Sequence, residues 1–281
     1  MYTLPEGHVI CMRTCDENLK SHGGFQWPES GEVVCPDWSA KPECENGLHG
    51  LLWGMGQADL LNWSPDAKWL AVEVEEKGII NLNGKVKFQK CRVVLCGDRK
   101  AVTDLVSKHA PNGTAVIGLV QDGGDRSTIT GGDYSTITGG DDSTITGGYG
   151  STITGGYGST ITGGYGSTIT GGYGSTITGG DDSTITGGDR STITGGDYST
   201  ITGGDRSTIT GGDGSTITGG HRSTITGGDY STLVLTYWDS KTGRNRCVLR
   251  YVGEDGIKPG VAYVADGMGG LMEAVRHEGG V

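Results

Sequence analysis

Residues 147–166 read GGYGSTITGGYGSTITGGYG, and the eight-residue phrase they repeat decides the fold. The octad GG-x-x-STIT runs without insertion or deletion from Gly123 to Val234, fourteen units in all, the last being the variant GGDYSTLV. A period held that strictly marks a solenoid, in which each repeat contacts only its neighbours. One octad supplies a Gly-Gly corner and one short strand, enough to go half way round a coil. Two octads make a flattened sixteen-residue coil with a strand on each side. The variable positions support the longer period. Arg126, Arg190, Arg206 and Arg222 share one column of a sixteen-residue register, and Tyr134, Tyr198 and Tyr230 share the other. The reading predicts seven coils.

Side chains alternate along a strand, so the Ile of each STIT and its two Thr neighbours take opposite faces. Ile is the residue to bury. Thirteen Ile and Leu233 then form two ladders facing one another across a thin interior, and each Ser sits at an inner corner beside the glycines. Gly-Gly makes the corner because either its dihedrals or its close packing would exclude a Cβ.

The flanks differ from the repeat. Residues 1–122 hold five of the six Trp and six of the seven Cys, with alternating segments WLAVEV (69–74) and KVKFQKCRVVLC (85–96) that predict strands. RKAVTDLVSKHAP (99–111) predicts a short helix stopped by Pro111. These elements predict an α+β amino-terminal capping domain. Beyond the solenoid at 123–234, residues 233–254 read as two strands around a Lys-Thr-Gly turn, and 260–275 as another hairpin. Residues 235–281 are therefore expected to form a carboxy-terminal β cap, and the whole chain to be mainly β. Both ends of a stack of strands need such cover, because an open edge templates aggregation.

What the solenoid presents outward is two arrays of Thr-x-Thr. The first comprises the pairs Thr128 and Thr130, Thr144 and Thr146, Thr160 and Thr162, Thr176 and Thr178, Thr192 and Thr194, Thr208 and Thr210, and Thr224 and Thr226, complete over seven coils. The second comprises Thr136 and Thr138, Thr152 and Thr154, Thr168 and Thr170, Thr184 and Thr186, Thr200 and Thr202, and Thr216 and Thr218, then ends in Thr232 and Val234. Threonine is β-branched and stiff, so such rows hold hydroxyls and methyls at a fixed spacing that can order water. Tyr149, Tyr157, Tyr165 and Tyr173 fall on both rims of the middle coils, where they can stack coil on coil or form the edge of a dimer.

The central block YGSTITGGYGSTITGG (149–164) resembles the AGYGSTxTAG repeat of bacterial ice-nucleation proteins, and its Thr-x-Thr rows resemble the ice-binding faces of β-solenoid antifreeze proteins. The resemblance covers the repeat tract and implies ordered water or an ice surface as partner. It departs in having Gly-Gly for Ala-Gly, Thr-Ile-Thr on both strands, and seven coils where the family runs to dozens. Since nucleation scales with array area, it implies an ice binder or a weak nucleator. GGFQWPESGEVVCPDW and ECENGLHGLLWG, within 23–54, resemble an uncharacterised domain that precedes short-period repeats in phage and bacterial proteins. The alternative reading is a phage or bacterial structural or protein-interaction scaffold.

Formal net charge is −11, which disfavours nucleic acid and anionic membrane as partners. No apolar run is long enough for a signal peptide or a membrane-spanning helix, so the expectation is a cytoplasmic or phage-associated protein. The seven Cys include no C-x-x-C and read as free thiols. The repeat is not the nine-residue calcium-binding type, and no metal or cofactor is expected. His8, His22, His49 and His109 have no local Ser/His/Asp or Cys/His signature, so no enzyme is expected. His49, in GLHGLLWG, occupies the most distinctive setting of the four.

Overall fold

The computed structural model describes residues 2–274. Two compact units divide the chain, the first taking residues up to 121 together with 130–136, the second taking 122–129 and the residues from 137 on.

The first unit is built on a sheet of seven strands. They are β1 (His8–Cys15), β2 (Gly31–Val34), β3 (Leu48–Leu52), β4 (Lys68–Glu75), β5 (Ile80–Asn81), β6 (Val86–Phe88) and β7 (Lys90–Gly97), in the order β2-β7-β4-β1-β3-β6-β5. β1 and β4 pair antiparallel along their whole length, from His8 opposite Glu75 to Cys15 opposite Lys68. Both are largely buried on both faces, which is why VICM and WLAV read as continuous apolar runs. The predicted helix is α1 (Arg99–His109). Asp98 caps it by accepting from the Ala101 amide at 2.8 Å, and Lys108 and His109 sit in its last turn, where the helix dipole favours positive charge. It buries Val102, Thr103 and Val106. A separate apolar cluster gathers Trp27, Leu70, Val72, Phe88 and Val93. All seven cysteines are free.

In the second unit each STIT strand pairs in parallel with the strand sixteen residues on. Thr144, Ile145 and Thr146 lie opposite Thr160, Ile161 and Thr162, and Thr152, Ile153 and Thr154 opposite Thr168, Ile169 and Thr170. The chain therefore builds two stacks, one per face, as the sixteen-residue period predicts. Every repeat Ile is at most 3 % exposed and Leu233 is fully buried. Both stacks end in antiparallel hairpins. Thr232–Asp239 pairs with Arg244–Tyr251, and Ala262–Ala265 joins Thr224–Thr226 before pairing with Leu271–Glu273.

The corners show which requirement each glycine meets. The first Gly of a pair is held by packing, since a Cβ at Gly139 would stand 2.7 Å from Ile145 Cδ1 and 2.9 Å from Ser143 Cβ. The second faces the preceding coil, where a Cβ on Gly164 would meet the Gly148 carbonyl carbon at 2.8 Å. Neither has a positive φ. The left-handed residue is instead the fourth of every octad, from Arg126 (φ 57°) through Gly166 (φ 64°) to Tyr230 (φ 60°).

Candidate functional site

The candidate site grows out of one corner and one strand. Ser159 is buried at the corner and donates from Oγ to the Gly140 carbonyl at 3.2 Å, a bond that recurs as Ser175 to Gly156 and Ser207 to Gly188. The Ser row thus adds a bond to the corner carbonyls, of which those of Gly140 and Gly156 also accept the Gly156 and Gly172 amides of the next coil. At the third octad position, Asp accepts a backbone N–H from the next coil. Asp141 Oδ1 takes the Tyr157 amide at 2.8 Å, Asp197 the Asp213 amide at 2.8 Å, and Asp205 the His221 amide at 2.7 Å. These carboxylates are braces between coils.

With corner and register fixed, the threonines are placed without freedom. On the first face one ladder runs through Thr144, Thr160, Thr176, Thr192, Thr208 and Thr224, and beside it runs the partner row Thr146, Thr162, Thr178, Thr194, Thr210 and Thr226. Both rows are exposed as far as Thr208 and Thr210, as is Thr128, whereas Thr130, Thr224 and Thr226 are half-buried. Neighbouring rows stand about 4.8 Å apart and the two threonines of a strand about 6.6 Å apart, so seven rows make a strip roughly 30 Å long.

The second face repeats this geometry. Thr152, Thr168, Thr184, Thr200 and Thr216 form one ladder, and Thr154, Thr170, Thr186, Thr202 and Thr218 the other. All of these are exposed except Thr218, and Thr138 is exposed at the opposite end. The face is shortened: Thr136 and Thr218 are half-buried, and Thr136 Oγ1 accepts from Arg99 Nη2 at 3.2 Å. Thr130, Thr136, Thr218, Thr224 and Thr226, at the ends of the stacks, are thus less exposed than the threonines between them. Nothing in the local sequence around Thr136 announces its contact, because Arg99 lies 37 residues earlier.

The rim tyrosines meet in pairs. Tyr149 stacks on Tyr165 and Tyr157 on Tyr173, with centroids 5.4 Å apart in both cases and planes within 5° and 4°. Arg190 extends the second ladder, its guanidinium carbon 5.6 Å from the Tyr173 ring. The Asp182 carboxylate beside Tyr165 accepts from its phenol and pushes that pKa up. All four rings remain exposed to solvent.

This arrangement has relatives. The repeat is similar to that of bacterial ice-nucleation proteins. An ice-nucleation protein of Pseudomonas fluorescens is 41% identical over 107 residues, 36% of this chain and 9% of its own length. The Pseudomonas syringae protein is 41% identical over 101 residues, covering 35% of this chain and 9% of its own. Ice nucleation protein InaU of Pantoea ananas is 36% identical over 108 residues, 38% of this chain and 10% of its own. The chain thus spans about a tenth of the length of these curated relatives. Residues 9–108 match a domain of unknown function, DUF7666. No solved structure matches. Among the described residues, no helix is long and apolar enough to cross a membrane.

Proposed function

We propose that the first threonine face orders water into a lattice-like layer and binds ice. The observation that carries this reading is the unbroken register from Thr144 to Thr224, with two threonines per strand and exposed side chains through its middle five coils. A crystal surface is recognised by a surface that is itself periodic and does not rearrange. Stiff χ1 angles and parallel hydrogen-bonded strands satisfy both conditions. Similarity of the repeat to ice-nucleation proteins supports the same reading.

Size decides between binding and nucleation. An ice embryo must exceed a critical size that grows as undercooling shrinks, so a strip roughly 30 Å long acts as a template only far below the melting point. Adsorption to existing ice needs no such area. Purified protein is therefore expected to shape ice crystals and produce thermal hysteresis, while raising droplet freezing temperature little. Parent protein that leaves crystals unshaped and freezing unshifted would reject ice binding and leave the rigid interaction scaffold as the better account.

A further inference from the structure

Three buried side-chain nitrogens lack a hydrogen-bond partner among the described residues: Arg13 Nε, Trp27 Nε1 and His49 Nε2. All three residues line a single cleft of the first unit, about 1240 Å³ in volume. Orphaned polar atoms are rare in folded proteins and each asks for a reason. Three in one cleft ask for a common one.

The residues are already tied together. Arg13 leaves β1 with its guanidinium 3.8 Å above the Trp27 ring, and its Nη1 donates to the His49 carbonyl oxygen at 3.0 Å. The Cys15 and Cys91 thiols lie nearby, and no ion pair to Arg13 exists among the described residues. A cation so enclosed is without its counter-ion. Trp27 is 2 % exposed and its indole N–H is closed off in the unliganded cleft, so a ligand reaches it through a small shift of the cleft wall. Both Arg13 Nε–H and Trp27 Nε1–H donate only. The site is thus short of an acceptor, and positive charge makes a negative acceptor the best complement.

The rest of the lining narrows the ligand. Phe25, Leu51 and Leu60 give the cleft apolar wall, and Asp16, Asp37 and Asp59 balance Arg13, Lys20 and Lys85, so the lining has no excess of positive charge for a molecule of high negative charge. We propose that the Arg13–Trp27–His49 cleft binds one oxyanion group, carboxylate or phosphate, carried on a small and partly apolar molecule. Arg13 supplies the charge, Trp27 a directed N–H, and His49 Nε2 a third contact. The threonine faces take no part.

The test follows the indole N–H signals of the full-length protein by nitrogen-15 NMR, with Trp27→Phe identifying the Trp27 signal. Benzoate, phenyl phosphate and inorganic phosphate are titrated separately. A saturable shift of the Trp27 signal with benzoate or phenyl phosphate, leaving Trp238 unmoved, is expected, and which of the two acts identifies the oxyanion. Arg13→Lys, which keeps charge but loses the planar fork, should weaken binding about tenfold. His49→Gln, which leaves Arg13 and Trp27 in place, should weaken it several-fold and serves where Arg13→Lys does not fold. Absence of a saturable shift with all three probes overturns the proposal. So does a shift that folded variants at both positions leave unchanged, and inorganic phosphate binding as tightly as phenyl phosphate removes the apolar portion of the ligand.

Discussion

Thr160 and Thr176 stand directly opposite one another in neighbouring parallel strands, and Ile161 and Ile177 pair in the same register with their side chains buried. One parity sets both the surface and the interior, so adjacent substitutions must have opposite consequences. Ile161→Asp places a carboxylate without a partner among Ile, Ser and Gly, and should abolish the cooperative melt. Ile161→Ala should lower stability by about 2–5 kcal/mol. Thr160→Ser, at an exposed site, should stay within about 0.5 kcal/mol of the parent. Circular-dichroism melts check all three, and an Asp variant as stable as the parent would refute the inward Ile.

The left-handed fourth position of the octad yields a stabilising change. Tyr230 is 88% exposed and held at φ 60°, a conformation that strains a residue bearing a Cβ. Tyr230→Gly should therefore raise stability by about 1 kcal/mol. Gly166→Ala is the converse, since φ is +64° there and a Cβ would meet nothing within 4 Å. It should cost a similar amount through strain alone. Thermal melts showing both changes neutral would mean that this corner is not held left-handed in solution.

Asp205 accepts the His221 amide at 2.7 Å, one rung of the brace between coils. Asp205→Ala should lose about 1 kcal/mol, the net worth of one such bond, while Asp205→Asn keeps an acceptor and much of the stability. Because the column's carboxylates already serve the backbone, a chelator should leave the melting temperature unchanged. A large drop on adding one would show instead that the column holds a cation.

The first unit should respond to acid through His49. Burial, then the positive charges of Lys85, Arg13 and Lys87, lower its pKa from 6.5 to about 4. Between those values the unfolded chain binds the proton more readily than the folded one. The contribution is complete above pH 6.5 and is lost as pH falls toward about 4. Five of the six Trp lie in the first 122 residues, so tryptophan-fluorescence melts follow this unit. The melting temperature should fall across that window, and His49→Gln should flatten the fall.

How much of this was legible varies with the range of the interaction. Arg and Tyr columns sorted at sixteen residues, and the single apolar residue of STIT left one choice of inward face, so the coil, both Ile ladders and both Thr arrays could be read directly. Corner chemistry was only half legible. Gly-Gly is conspicuous, yet it answers to Ile and Ser packing and to the preceding coil, while the positive φ belongs to a position filled by Arg, Tyr, Asp or Gly that carries no consistent signal. Arg99 on Thr136 and Arg13 over Trp27 were invisible, because contacts between distant segments leave no local pattern. His49 drew notice by its glycine neighbours, but its partners depend on the strand order β1-β3-β6, which alternation alone does not determine.

The two faces allow the proposed function to be tested inside one molecule. Thr176 lies at the middle of the face with seven rows, and Thr168 near the middle of the face with six, whose first row is engaged by Arg99 at Thr136. Both side chains are exposed, so Thr176→Lys and Thr168→Lys should each change stability by no more than about 0.5 kcal/mol. On an ice surface they are not equivalent. A lysine at Thr176 interrupts the longer lattice at its centre, leaving no flat run of more than three rows on either side. It should abolish crystal shaping. A lysine at Thr168 leaves the longer face whole, and shaping should persist with reduced hysteresis. Crystals grown with each variant, beside melts showing both folded, decide the matter. Equal loss from both would mean that the two faces act together, and no loss from either would show that the threonine rows are not the ice-contacting surface.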